Sequence, residues 1–193
     1  MGRLNVLSTG MLVLLLAGVA GAENWARFRG PDGKGISTQK GLPVTWTDKD
    51  YKWKVAVPGL GHSSPCVWEN HIFLTSALDK GATRLVLAVE AATGKVLWTD
   101  KLASRTHEKH SLNSYASGTP ASDGKRVFVL FTTNEDTVVR AYDFAGKRLW
   151  QTDVGKFYNR HGHGCGTSPI VWKDTVIVAS QHDGPSVIAG LDA

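Results

Sequence analysis

Cysteine is scarce in this chain: Cys66 and Cys165 are the only two among 193 residues. That excludes a small disulfide-stapled scaffold and a cysteine-built zinc module. Long apolar runs are missing too. The run Met11–Val19 is far shorter than the ~20 apolar residues that span a hydrocarbon core. Beyond the N-terminus no stretch repeats its apolar residues at the helical period of about 3.6, so amphipathic helices are not the building material. Charge of one sign is not concentrated either. Twenty-two Lys and Arg stand against seventeen Asp and Glu, a net charge of +5. The basic residues are scattered, with no aromatic-interleaved patch, which gives no footprint for nucleic acid.

The N-terminus reads as a targeting segment. Arg3 supplies positive charge, Met11–Ala17 an apolar core, and Ala20-Gly21-Ala22 a small-residue cleavage site. Residues 1–22 are therefore expected to be a signal peptide and Glu23 the first mature residue. The expected location is exported, periplasmic or extracellular. No Cys follows the cleavage site to take a lipid. Export permits a bridge between Cys66 and Cys165, but they sit at different points of the repeat described next, so a bridge and two free thiols both stay open. Residues 23–52 read as an N-terminal extension.

What the chain does have is a repeat. Ser64-Pro65 through Ser76, Thr119-Pro120 through Phe131 and Ser168-Pro169 through Ser180 align without a gap. Seven residues after each Pro stand Ile72, Val127 and Val176; nine after stand Leu74, Val129 and Val178. A second block ends in Glu90, Asp143 and Asp192, at 25, 23 and 23 residues from its Pro. Each copy alternates short β-branched and aromatic runs with turns such as Glu69-Asn70, Asp123-Gly124 and Ala145-Gly146-Lys147, which are hairpin signals. Trp98 and Trp150 are 52 residues apart, as are Gly94 and Gly146. Four short antiparallel strands in about fifty residues, repeated, make a β-propeller blade. The predicted fold is all-β, with four-stranded antiparallel blades at about 62–101, 115–154 and 165–193 and a strand at 53–57.

Ala92-Thr93-Gly94-Lys95-Val96-Leu97-Trp98 and Ala145-Gly146-Lys147-Arg148-Leu149-Trp150 resemble the repeat of pyrroloquinoline-quinone-type (PQQ-like) propellers. Asn24-Trp25-Ala26-Arg27-Phe28-Arg29-Gly30 is similar to a segment common near the N-terminus of that group. The resemblance implies that Trp53, Trp98 and Trp150, with the turn glycines Gly94 and Gly146, dock one blade on the next. Burying a large indole whose N–H still needs an acceptor suits that role. Leu191-Asp192-Ala193 stands where the pattern calls for Gly-Lys and a Trp. The chain is accordingly expected to be a fragment, three to four blades of a parent with about seven or eight, with 53–57 closing the ring there; closed propellers use ~4–8 blades.

Loops that lead into the innermost strand of a blade open on the central channel and are the place to look for a ligand. Here they are 61–64, 113–119 and 161–168. The ligand-binding candidates are His62, Ser63, Asn113, Tyr115, His161 and His163. The competing reading is that small residues pack near the axis while polar side chains satisfy loop backbone. His161-Gly162-His163 offers two imidazoles, and Cys165, His62 or His110 would join them only if the loops converge, so no metal site is assigned. Ser63 and Ser64 lie beside His62 without a nucleophile elbow, so no catalytic residue is assigned.

The resemblance extends to the propeller lipoprotein family of outer-membrane assembly machinery. It implies a non-catalytic exported scaffold that meets a protein partner, or a small polar ligand or carbohydrate, at the channel face. No cofactor, nucleic acid or membrane span is expected. The alternative is a fragment of a PQQ-dependent alcohol or sugar dehydrogenase with PQQ and calcium. Such enzymes carry a vicinal Cys-Cys pair and a calcium-ligand segment, and neither appears in this sequence.

Overall fold

The computed structural model describes residues 23–193 except Asn134 and His161. The expected signal peptide, 1–22, lies outside the described residues. The chain forms three antiparallel meanders. Blade 1 contains β1 (Cys66–Trp68), β2 (His71–Leu78), β3 (Thr83–Glu90) and β4 (Val96–Ala103). Blade 2 contains β5 (Ala121–Ser122), β6 (Arg126–Thr132), β7 (Asp136–Asp143) and β8 (Arg148–Lys156). Blade 3 contains β9 (Ile170–Trp172), β10 (Thr175–Ser180) and β11 (Val187–Asp192). The all-β fold of antiparallel propeller blades is the one expected from the sequence.

Period-two alternation explains how these sheets stack. On β6, Val127, Val129 and Phe131 pack toward Phe73, Val86 and Ala88 of blade 1. Their neighbours Phe128 and Leu130 point the other way, toward Val176 and Val178 of blade 3. A strand covered on both faces reads as one continuous apolar run, as β6 does. Outer strands β4 and β8 instead alternate exposed with part-buried residues. Burying each Val or Phe stabilises by about 1.5–3 kcal/mol, so these two layers carry most of the stability. The bulges between Ala88 and Val89 and between Ala141 and Tyr142 fall at the same repeat position.

The tryptophan wedges sit between neighbours. Trp98 Nε1 donates to the Phe144 carbonyl at 2.9 Å, and Trp53 Nε1 donates to the Ala91 carbonyl at 2.9 Å. Each indole lies on a turn glycine. A Cβ on Gly146 would stand 2.7 Å from Trp98, and one on Gly94 would stand 2.5 Å from Trp53. Both glycines also have positive φ, 90° and 75°, so no other residue fits either position without strain. Trp150 packs beside the blade 2–blade 3 cluster, with Phe128 at 6.0 Å and Ala193 near it. Trp53–Val57 has no strand pairing among the described residues, although Trp53 locks onto blade 1 as Trp98 locks onto blade 2.

The N-terminal extension is not idle. Trp25 exchanges two 2.9 Å backbone hydrogen bonds with Val67 on the free edge of β1, and the Ala26 carbonyl accepts from Ser122 N–H at 2.8 Å. Residues 24–26 thus clip the innermost strands of blades 1 and 2 together.

Candidate functional site

The connections β2–β3, β4–β5, β6–β7 and β8–β9 leave the same end of the sheets. The two longest, 104–120 and 157–169, have no regular structure among their described residues. They are tied to each other. His110 N–H donates to the Gly162 carbonyl at 2.6 Å, Asn113 Nδ2 donates to the His163 carbonyl, and the His110 and His163 rings lie 4.8 Å apart. Asn113 Oδ1 accepts from Ser114 N–H at 2.8 Å and from the Ser117 hydroxyl at 2.7 Å, which rigidifies its own loop.

A hydroxyl ladder crosses the blades just before the repeat prolines. Ser64 N–H donates to Thr119 Oγ1 at 3.1 Å, and Thr119 N–H donates to Ser168 Oγ at 2.9 Å. Within the blades, Ser63 Oγ donates to the Thr75 carbonyl at 3.1 Å and Thr167 Oγ1 to the Ala179 carbonyl at 2.8 Å. The middle repeat has Gly118 at that position and no hydroxyl to offer. These small polar residues stitch the loops to the strands.

The six sequence candidates separate accordingly. Ser63 is occupied by Thr75, whose N–H also donates to it at 3.1 Å. Asn113 and His163 meet. His62 is exposed, with its backbone N–H shared by the Ala116 carbonyl at 2.9 Å and Ser114 Oγ at 3.1 Å. Tyr115 turns away from them toward blade 1, its hydroxyl donating to the His107 carbonyl. His161 lies outside the described residues. Among the described residues no three His, Cys, Asp or Glu side chains converge as metal ligands.

Tyr115 leads to a feature the sequence reading missed. Arg84 on β3 is 1% exposed, its Cζ 5.0 Å from the Tyr115 ring centroid, with Lys109 Nζ 5.7 Å from the same centroid. Burial lowers the guanidinium pKa to about 10, partly offset by the nearby Tyr115 phenol. Burial likewise raises that phenol and lowers the His107 imidazole below the usual histidine range. The repeat alignment held a signal: Arg84 occupies the position of Thr137 and Ser186 in the other copies.

Both cysteines are free thiols, Cys66 buried and Cys165 part-exposed. Burial pushes the Cys66 thiol up from 9.0 to about 12. Thiolate is the reactive form, so a maleimide at pH 8 is expected to modify Cys165 and spare Cys66 until the chain is unfolded. Mass spectrometry of the labelled protein checks this; two adducts on the folded chain would contradict it. The unfolded Cys66 thiol ionises before the folded one. Its contribution to stability is thus whole below pH 9 and is lost as pH rises toward 12, roughly 4 kcal/mol in all.

No curated protein matches the chain. Among solved structures it is similar to a europium-containing methanol dehydrogenase, 17% identical with a TM-score of 0.50, covering 72% of this chain and 24% of that one. A quinohemoprotein alcohol dehydrogenase from Comamonas testosteroni is 16% identical, with a TM-score of 0.45 over 69% of this chain and 19% of that one. BamB from Moraxella catarrhalis is 13% identical, with a TM-score of 0.42 over 71% of this chain and 50% of that one. The chain therefore spans half or less of the length of these structures, and at such identities the likeness is one of fold. A family model described as outer membrane protein assembly factor BamB matches residues 22–193. On that match, together with the blades and their wedges, the chain belongs to this family of PQQ-like propeller repeat proteins.

Proposed function

We propose that the chain is part of an exported, non-catalytic propeller scaffold whose loop face, formed by 58–63, 104–120 and 157–169, docks a protein of outer-membrane assembly. One observation carries this reading: the two long loops are braced against each other and against the strands by the hydrogen bonds of Asn113, Ser114, Ser117 and His110. A braced surface loses little conformational freedom on binding, which favours recognition by preformed loops. The family description supplies the class of partner.

The reading includes no cofactor. Among the described residues the two thiols are separate and no three His, Cys, Asp or Glu side chains group as metal ligands. No step is derived through that group.

Site-specific photo-cross-linking tests the docking face. A photoreactive side chain at His62 or at the exposed Leu112 is expected to give adducts with an assembly component in cells. One at Lys147, in the β7–β8 turn at the opposite end of the sheet, is expected to give none. Adducts from position 147 alone would refute the assignment of the face. Dye reduction on adding PQQ and calcium would refute the non-catalytic part.

A further inference from the structure

The loop face contains a buried cation without a counter-charge. Arg84 Nη2 donates to the Thr132 carbonyl at 3.2 Å, while Nε and Nη1 are sealed from solvent and have no acceptor. Leaving a buried donor unpaired is destabilising, the more so when it is charged. None of the ion pairs among the described residues includes Arg84. The guanidinium borders a small cavity whose wall also contains His107, Lys109, Asn113, Tyr115 and Asn159, with no Asp or Glu. The Tyr115 hydroxyl, Asn113 Nδ2 and Lys109 Nζ already donate to loop carbonyls, so the open donors at this acid-free lining include Nε and Nη1 of Arg84.

The geometry points to an anion site here that takes a carboxylate head group. Guanidinium planes match planar oxyanions and stack on aromatic faces, as Arg84 does on Tyr115. The free space is about 20 Å³, the scale of one or two waters. A planar two-oxygen head group needs less room there than a tetrahedral phosphate, a sugar ring or a quinone. Lys109, part-exposed at the mouth, adds long-range attraction for the incoming charge. The inference deepens the scaffold reading and rests on it for one of two sources of the carboxylate: an acidic side chain of the docked protein, or a free small acid.

The test is a titration of the isotope-labelled full chain with sodium acetate, against sodium chloride at matched ionic strength. Backbone amide shifts at Tyr115 and Thr132 are followed by NMR. Saturation in the millimolar range with acetate and not with chloride is the expected result. Arg84→Met is expected to weaken acetate binding about tenfold or more, the scale of one charged hydrogen bond. Lys109→Ala, at a part-exposed position, is expected to weaken it several-fold and to flatten its salt dependence. If Arg84→Met fails to fold, the wild-type and Lys109→Ala titrations decide. No saturation with acetate, an equal response to chloride, or affinity unchanged by Lys109→Ala would overturn the site.

A glutamate-rich hexapeptide separates the sources. Binding more than tenfold tighter than acetate assigns the carboxylate to a protein partner; equal binding assigns it to a free small acid. Absence of cross-links from positions 62 and 112 would remove the docking reading and leave the acetate isotherm standing.

Discussion

Trp98→Ala is expected to destabilise the chain by about 3–5 kcal/mol in urea unfolding followed by circular dichroism, the range for emptying a Trp site in a core. The indole packs with Phe73 at 6.1 Å and Tyr142 at 5.5 Å and closes the seam between blades 1 and 2. Its removal opens a cavity over Gly146, which has no side chain to fill it, and leaves the Phe144 carbonyl without its 2.9 Å donor. Trp98→Phe divides the effect. It keeps much of the buried area and loses the N–H, so about 1 kcal/mol is expected from the hydrogen bond, plus a part for the missing ring. Trp172, 60% exposed, is the control; its replacement by Ala is expected to fall within about 0.5 kcal/mol of wild type. Equal losses at positions 98 and 172 would mean that the wedge does not hold the blades together.

The second large effect belongs to a polar lock at the same seam. Arg140 on β7 donates from Nη1 to Asp100 Oδ2 of β4 at 2.8 Å, and Tyr142 OH donates to the same oxygen at 2.7 Å. The Arg140 side chain is only 5% exposed. Burial, with the Asp100 hydrogen bond, raises the Tyr142 phenol, which therefore remains a donor well into alkaline conditions. Asp100→Ala leaves a buried cation and a buried hydroxyl short of their acceptor, and a loss of about 3–5 kcal/mol is expected. The double change Asp100→Leu with Arg140→Met is expected to recover most of that loss, because an apolar pair has no charge to desolvate. A loss under about 1 kcal/mol for Asp100→Ala would show that Gln151 Oε1 and the Lys101 carbonyl, at 2.7 and 3.0 Å, satisfy the guanidinium alone.

The architecture was legible because a blade is written in local signals. Alternation in Val127-Phe128-Val129-Leu130-Phe131 and the glycine turns before Trp98 and Trp150 specify strands, turns and wedges within one repeat. The site was legible only in outline. Ser63 and Asn113 stand on the right loops, but their polar atoms brace loop backbone, which a residue list cannot distinguish from ligand contact. Arg84 escaped notice because its neighbours, Lys109 and Tyr115, come from a connection with no period to read. The clip of Trp25 and Ala26 on β1 and β5 has the same cause: isolated contacts with Val67 and Ser122, between segments far apart in the chain, leave no pattern in either. Arg140 and Asp100 likewise meet only because two blades stack.

Each sheet here is a meander of consecutive strands, and each wedge reaches only the next sheet along. The consequence is vectorial: as the polypeptide leaves the ribosome, Trp98 waits for residues about fifty positions later before it is seated. Growth would then proceed like laying bricks, with one sticky indole always displayed at the leading margin and covered by the following course. A stall between courses would expose that margin, which makes the pace at which successive blades are seated a determinant of yield independent of final stability.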